Sequence, residues 1–163
     1  MRALQLYAPK ANRAEYTRAI GRARDWLASA TGEFTEERAF RLLGLAWAEA
    51  GTEKLRAAAR ELLALQRSDG GWSQEPPLES DSYATGEALT ALLESGMAAA
   101  DDQAVRRGVE FLLRTQLQDG SWYVKSRSVP IQAYFESGFP HGADQWISAA
   151  GTAWAVRALA NVY

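Results

Sequence analysis

Residues 62–72 read LLALQRSDGGW, and residues 112–122 read LLRTQLQDGSW. Aligned without a gap, the two segments share two leucines, a glutamine, an aspartate, a glycine and a tryptophan at a spacing of fifty residues. Self-similarity at a fixed period is typical of repeat proteins, in which each unit packs against its neighbours. These two segments therefore predict a chain that is built from repeated structural units.

The sequence around the repeats predicts helices. Apolar residues recur with the period of a helix, and no segment alternates with a period of two for long enough to indicate a strand. Asn12 and Thr52 are expected to cap two of the helices, because both residue types are favoured at helix N-termini. The chain is therefore predicted to be all-α, with helices at about 13–30, 35–50, 53–66, 80–96, 101–116 and 144–161.

These helices are predicted to pair into three hairpins within a single domain, 1–163. The hairpins cover about 13–51, 53–96 and 102–161.

The second helices of the hairpins are rich in alanine. Residues 85–92 read TGEALTAL, and residues 152–159 read TAWAVRAL. Because small side chains let helices approach closely, we expect the second helices to line the inside of a ring. Their apolar faces are expected to be exposed there through Leu89, Leu92, Trp154 and Val156.

The last repeat contains an insertion. The spacing of equivalent residues grows from fifty to sixty-seven, which places seventeen extra residues between Trp122 and Ser148. The resulting loop, 123–145, is rich in aromatic residues and also contains Ile131, a composition that argues against disorder. We expect an ordered loop folded over the end of the ring, which either plugs the cavity or forms a ligand or partner site. Residues expected at that binding site are Tyr83, Tyr134, Phe135, Phe139, His141, Asp144 and Trp146.

The string RG-x2-FL-x3-Q-x3-G-x-W occupies residues 107–122. It closely resembles the Gln-Trp repeat of squalene and oxidosqualene cyclases, whose relatives include the β-subunits of protein prenyltransferases. The resemblance implies a terpenoid cyclase-like (α/α) toroid, of which three hairpins would form a part. It also implies that the glutamine ties a helix end to neighbouring backbone while the tryptophan packs on it. The residues with this structural role are Gln66, Gly70, Trp72, Gln116, Gly120 and Trp122.

The acid motif of the cyclases is incomplete in this chain. Squalene–hopene-type cyclases protonate their substrate with the central aspartate of D-x-D-D-T-A, whereas residues 81–86 read DSYATG. Tyr83 and Ala84 therefore stand at the two acidic positions. An alkene is protonated only by a strong acid, and a tyrosine with a pKa of about 10 is far too weak. Asp81 is the one candidate catalytic residue, and we expect it to serve as a helix N-cap instead.

The zinc site of the protein prenyltransferases is also missing. That site uses an aspartate, a cysteine and a histidine, but this chain has no cysteine and a single histidine. Asp81, His141 and Asp144 could meet at the rim of the ring, although a surface histidine is the favoured interpretation. No metal or cofactor is expected. The run FPHGADQWISAA at residues 139–150 resembles bacterial proteins with prenyltransferase or squalene-oxidase repeats, which implies no particular reaction.

Composition limits the partners. Eighteen basic and twenty acidic residues leave a net charge of −2, so no nucleic-acid partner is expected. No apolar stretch reaches the length of a membrane span, and we expect a soluble protein, cytoplasmic by default, or periplasmic or secreted if the chain is a fragment.

The favoured hypothesis is a non-catalytic binding or assembly domain. Its partner would be another protein, a second copy or the rest of a longer chain, and an apolar small molecule is a further candidate ligand. The alternative is an enzyme for isoprenoid or other apolar substrates that needs a second subunit or domain to complete its cavity. A purely structural cap on a larger chain is the third class.

Overall fold

The structure, a computed structural model, describes residues 2–129 and 132–163, and within these ranges the chain is all-helical, as predicted. Ile131, which the sequence argument counted in the loop, lies outside the described residues. The α-helices are α1 Arg2–Tyr7, α2 Arg13–Ser29, α3 Thr35–Trp47, α4 Thr52–Leu63, α5 Ser82–Glu94, α6 Gln103–Thr115 and α7 Gln145–Ala160. Short 3-10 turns at Lys10–Asn12 and Gly142–Asp144 precede α2 and α7.

Three details at the helix ends differ from the prediction. The side chain of Asn12 does not cap α2; its amide lies 3.5 Å from a carboxylate oxygen of Glu15. Thr52 is the first residue of α4 rather than its cap, because Gly51 occupies the N-cap position with a φ of +85°. Helix α1 was not predicted, since its six residues bury no side chain and leave no periodic pattern.

The helices form two layers. Helices α3, α5 and α7 pack side by side with α5 in the middle, while α4 packs against α3 and α6 packs against α5. Gly86 permits the closest approach, because a Cβ at this position would lie 2.5 Å from the backbone carbonyl carbon of Trp154. The layered, all-helical arrangement agrees with the expected α/α toroid-like terpenoid cyclase fold.

The expected exposure of the second helices is wrong for α5. Leu89 and Leu92 are fully buried, because neighbouring helices enclose α5 in the middle of its layer. Gly108 brings α6 so close that a Cβ there would lie 2.9 Å from Leu89. On α7 the expectation holds in part: Trp154 is half-buried and Val156 is exposed. None of the described helices is both long and apolar enough to cross a bilayer.

Candidate functional site

The repeat tryptophans are anchored in the core. The indole nitrogen of Trp72 donates to the carbonyl oxygen of Leu62 at 2.9 Å, and that of Trp122 donates to Leu112 at 2.8 Å. Both side chains are buried. Each bond supplies a donor to a carbonyl in the last turn of α4 or α6, where intrahelical partners run out. Neither indole therefore offers a free face to a ligand.

Two threonines that were not identified from the sequence connect these turns to α5 and α7. The backbone N–H of Trp72 donates to Oγ1 of Thr85 at 2.9 Å, and that of Trp122 donates to Oγ1 of Thr152 at 3.0 Å. Thr85 lies on α5 and Thr152 on α7. The two threonines are the first residues of the aligned segments 85–92 and 152–159, so their equivalence was visible in the sequence. The alignment does not reveal that their hydroxyl groups accept hydrogen bonds from the tryptophan backbone.

The repeat glutamines make unequal contacts. The amide of Gln66 donates to the carbonyl oxygens of Gly70 at 2.9 Å and Ala104 at 2.8 Å, so it also ties its turn to α6. The amide of Gln116 donates to Gly120 at 3.0 Å and is exposed. Gly70 and Gly120 both have positive φ, a backbone conformation that glycine adopts without strain.

Asp144 holds the start of the inserted loop. Its Oδ1 accepts from the backbone N–H of Ser126 at 2.8 Å, and its Oδ2 accepts from the Tyr123 hydroxyl at 2.7 Å. These hydrogen bonds lower the pKa of the Asp144 carboxyl, and the bond from Ser126 has the largest effect. In this position Asp144 fastens the loop to the beginning of α7.

Gln145 fastens the other half of the loop and was missed in the sequence analysis. It is fully buried, its Oε1 accepts from the backbone N–H of Ser137 at 2.8 Å, and its Nε2 donates to the carbonyl oxygen of Phe135 at 2.8 Å. A glutamine at the start of a helix is unremarkable in sequence, so only the folded loop reveals its role.

The loop aromatics are largely exposed. The rings of Phe135 and Trp146 lie 5.2 Å apart, yet these residues are 51% and 54% exposed. Tyr134 is 58% exposed and donates its hydroxyl to Glu136 at 2.6 Å. Since a plug would bury its side chains, this half of the loop does not act as one.

His141 lies against the second repeat turn. Its Nε2 is 2.8 Å from the Ser121 hydroxyl oxygen, and its ring packs between those of Tyr123 at 5.5 Å and Phe139 at 6.2 Å. The Ser121 hydroxyl also donates to Oδ1 of Asp119 at 2.7 Å. Among the described residues, no group of three or more histidines or carboxylates has a geometry that could hold a metal ion.

Asp81 is the N-cap residue of α5. Its Oδ1 accepts from the backbone N–H of Ala84 at 2.9 Å, and its Oδ2 accepts from the amide of Gln74 at 2.7 Å. Burial raises the pKa of this carboxyl, while the two hydrogen bonds and the charge of Arg127 oppose the increase. Both oxygens of Asp81 therefore have partners within the protein.

Tyr83 points towards α3 instead of joining the loop aromatics. Its hydroxyl donates a long hydrogen bond of 3.4 Å to Glu36. Glu87, one turn further along α5, is 1% exposed, and burial together with the negative charge of Glu36 raises its pKa to about 8. Burial and the charges of these two glutamates also raise the pKa of Tyr83. Glu87 was missed, although an acid in an otherwise apolar segment was visible in the sequence.

No protein-family model matches the chain. It is 34% identical over 97 residues to squalene–hopene cyclase of Bradyrhizobium diazoefficiens, an alignment that covers 53% of this chain and 13% of that protein. It is 33% identical over 111 residues to protostadienol synthase A of Arthroderma gypseum, with 60% and 15% covered. The chain thus spans less than a sixth of the length of these curated relatives. The two partial matches relate the chain to the terpenoid cyclases.

Proposed function

We propose that the chain is a non-catalytic binding or assembly domain made of cyclase-like repeats. The observation that carries this proposal is the set of hydrogen bonds made by residues 81–84, which occupy the position of the acid motif of the cyclases. Asp81 has both carboxylate oxygens in hydrogen bonds that cap α5, and the next acidic position is the hydroxyl of Tyr83. Neither group is a strong acid aimed at an open cavity.

Glu87 does not replace the missing acid. Protonating an alkene requires a carboxyl group that gives up its proton unusually readily, which means a low pKa. The pKa of Glu87 is raised to about 8, so its acid form is a weaker proton donor than an ordinary glutamic acid. The electrostatics of α5 therefore favour a role other than cation-olefin cyclisation.

The binding surface that we propose consists of Tyr134, Phe135 and Trp146, hereafter the loop aromatic surface. Aromatic residues that are exposed in the free protein and lie together are typical of the centre of protein–protein interfaces. Asp144 and His141 contribute indirectly, because their contacts within the protein fasten the loop that presents Tyr134 and Phe135 beside Trp146 of α7.

The alternative is that the chain supplies part of the cavity of an enzyme acting on isoprenoid or other apolar substrates. The names of the two relatives favour it, and the small share of their length that is covered means that a second subunit or domain would have to complete the cavity.

One pair of experiments tests both. Native mass spectrometry and sedimentation of the purified chain are expected to show a complex, either with itself or with a co-purified protein, that Trp146→Ser weakens. Incubation with squalene and shorter polyprenyl substrates is expected to give no cyclised product. A chain that stays monomeric and ligand-free contradicts the binding proposal. A cyclised product that is lost in Asp81→Asn establishes the enzyme instead.

A further inference from the structure

A small cavity between α3 and α5 is lined in part by a buried glutamate. It has a volume of about 90 Å³, and Glu87 of α5 forms part of its lining while being 1% exposed to solvent. The other lining residues come from α3, α5 and the segments that precede them: Phe34, Glu36, Gln74, Glu75, Tyr83 and Ala84.

The carboxyl group of Glu87 is left without a partner. Neither of its oxygens has a hydrogen-bond partner among the described residues. Buried polar groups are almost always hydrogen-bonded, so an exception of this kind calls for an explanation such as a missing ligand. The hydroxyl of Tyr83 is close enough to oppose the rise in the pKa of Glu87, but its hydrogen bond of normal geometry goes to Glu36. It therefore does not satisfy the Glu87 carboxyl group.

The residues that line the cavity include acids but no base. Its lining includes the three carboxyl groups of Glu36, Glu75 and Glu87, and none of the lining residues is a lysine, arginine or histidine. Arg127 acts on the neighbouring Asp81 at the N-terminus of α5, but it is not among the residues that line the cavity. A positively charged ligand would therefore be attracted without competition from a cationic side chain of the lining.

We propose that this cavity binds a primary ammonium group. Three N–H donors on a compact head can reach the Glu87 carboxylate, the Glu36 carboxylate and the amide oxygen of Gln74 or the hydroxyl oxygen of Tyr83. At about 90 Å³ the cavity exceeds the roughly 10–15 Å³ that a single water needs, so it has room for an ammonium head with its first carbon. This inference concerns a different place from the loop aromatic surface and does not depend on the proposed function.

Binding of an ammonium group would be coupled to loss of a proton. The groups that face Glu87 are Glu36 on α3, Glu75 before α5, and Asp81 and Tyr83 near the start of α5. Because the pKa of Glu87 is raised to about 8, this carboxyl group is mostly protonated at pH 7 in the free protein. A bound cation favours the carboxylate, so a proton leaves as the cation enters.

The test uses methylammonium as the probe and the amide NMR signals of the intact chain as the readout. Methylammonium is expected to shift the signals around residues 83–87, whereas tetramethylammonium, which is larger and has no N–H donor, is expected not to. Glu87→Gln and Glu36→Gln should each weaken methylammonium binding about tenfold or more, as loss of a charged hydrogen-bond partner does. Glu53→Gln, on an exposed part of α4, should leave it unchanged.

Two further measurements sharpen the result. Calorimetry in two buffers with different ionisation enthalpies should show proton release at pH 7, and this release should vanish in Glu87→Gln. Comparing methylammonium with an N-acetyl-lysine amide shows which kind of molecule supplies the ammonium group. Tighter binding of the lysine derivative indicates a lysine side chain of another protein, and equal binding indicates a small free amine.

Sodium chloride at the same concentrations is the control for non-specific salt effects. The proposal is overturned if methylammonium shifts the amide signals only at concentrations at which sodium chloride also shifts them. It is equally overturned if the Glu87→Gln variant, folded by the same spectrum, binds methylammonium as tightly as the natural chain. Glu36→Gln keeps the test valid if Glu87→Gln does not fold, because Glu36 lies on the exposed side of the cavity.

Discussion

The indole nitrogen of Trp72 donates a hydrogen bond to the carbonyl oxygen of Leu62, and a bond of the same kind recurs fifty residues later. Removing a buried tryptophan typically costs about 3–5 kcal/mol, because a large cavity remains. We therefore expect Trp72→Ala and Trp122→Ala each to lower the free energy of unfolding by about that amount, measured by urea denaturation. Trp26→Ala is the control, since Trp26 is 68% exposed and its loss should change stability little. Equal stabilities for all three variants would contradict the structural role of the repeat.

The two repeat glutamines are expected to differ in their contribution to stability. The amide of Gln66 donates hydrogen bonds to two carbonyl oxygens and is half-buried, whereas the amide of Gln116 donates to one and is exposed. A net contribution of about 0.5–1.5 kcal/mol per hydrogen bond makes Gln66→Ala the more costly change by at least that much. Thermal denaturation of the two variants checks the difference. A larger effect of Gln116→Ala would show that the bond to Ala104 does not stabilise the contact with α6.

The two turn glycines provide a second matched pair. Gly70 and Gly120 have φ values of +89° and +83°. Alanine at either position should therefore lower the free energy of unfolding by a similar amount, about 1 kcal/mol, through backbone strain. At Gly70 a Cβ would also lie 2.5 Å from the carbonyl oxygen of Arg107, while at Gly120 no atom of the described residues lies within 4 Å of that position. Gly70→Ala should therefore be clearly the more destabilising, as measured by denaturant unfolding. Equal losses would mean that α6 shifts away from the turn at little cost.

Glu87 should make the stability of the protein decrease as the pH rises. Its pKa is raised from 4.5 to about 8 in the folded state, so the folded chain holds a proton that the unfolded chain releases between these values. Stability from this group is fully present below pH 4.5 and is lost up to about pH 8, with a slope of at most about 1.4 kcal/mol per pH unit.

The variant Glu87→Gln isolates this contribution. Denaturation curves at several pH values should show a flatter pH dependence for the variant and a higher stability than the natural chain at pH 8. Asp81, whose pKa is also raised, is present in both proteins, so the difference between the two curves reports Glu87 together with its coupling to Asp81. Identical pH profiles would show that Glu87 titrates normally and that its burial is relieved in solution.

Asp144→Asn should loosen the inserted loop without unfolding the helices. The amide oxygen can still accept from Ser126, but the amide nitrogen can only donate, so the charge-assisted bond from the Tyr123 hydroxyl is lost and is at best replaced by a weaker one in which the tyrosine oxygen accepts. We expect faster trypsin cleavage after Lys125 and Arg127 while the melting temperature changes little. Glu136→Gln is the control, because the contacts that Glu136 makes with described residues, through Tyr134 and Gly138, stay within the loop. Unchanged cleavage in Asp144→Asn would show that Asp144 does not fasten the loop.

The all-helical fold could be predicted from the sequence because its determinants are local. The period of apolar residues, the glycines that end helices and the recurring LLxxQxxxGxW pattern depend on residues close together in the chain, and the observed helices begin and end near the predicted positions. The failures at Asn12 and Thr52 are also local. Asn12 occupies the N-cap position of α2 without a capping bond from its side chain, and Gly51 takes the N-cap position that was expected for Thr52.

The candidate site could be predicted only in part. Tyr83 and Asp81 were identified by their place in an incomplete acid motif, and the loop by its length and aromatic content. Glu87, Gln145 and the two threonines were missed, since their importance arises from partners that are distant in sequence, or from the lack of one.

By itself, then, the sequence determined the class of fold, the repeat and the incomplete acid motif, because these depend on residue types at short and regular spacings. The tertiary structure alone decided that α5 lies in the middle of its layer. That placement buries Leu89 and raises the pKa of Glu87, whose carboxyl group finds no hydrogen-bond partner of normal geometry among the residues that the structure describes. Burial and charge are properties of the packed environment, which no single segment of the chain encodes.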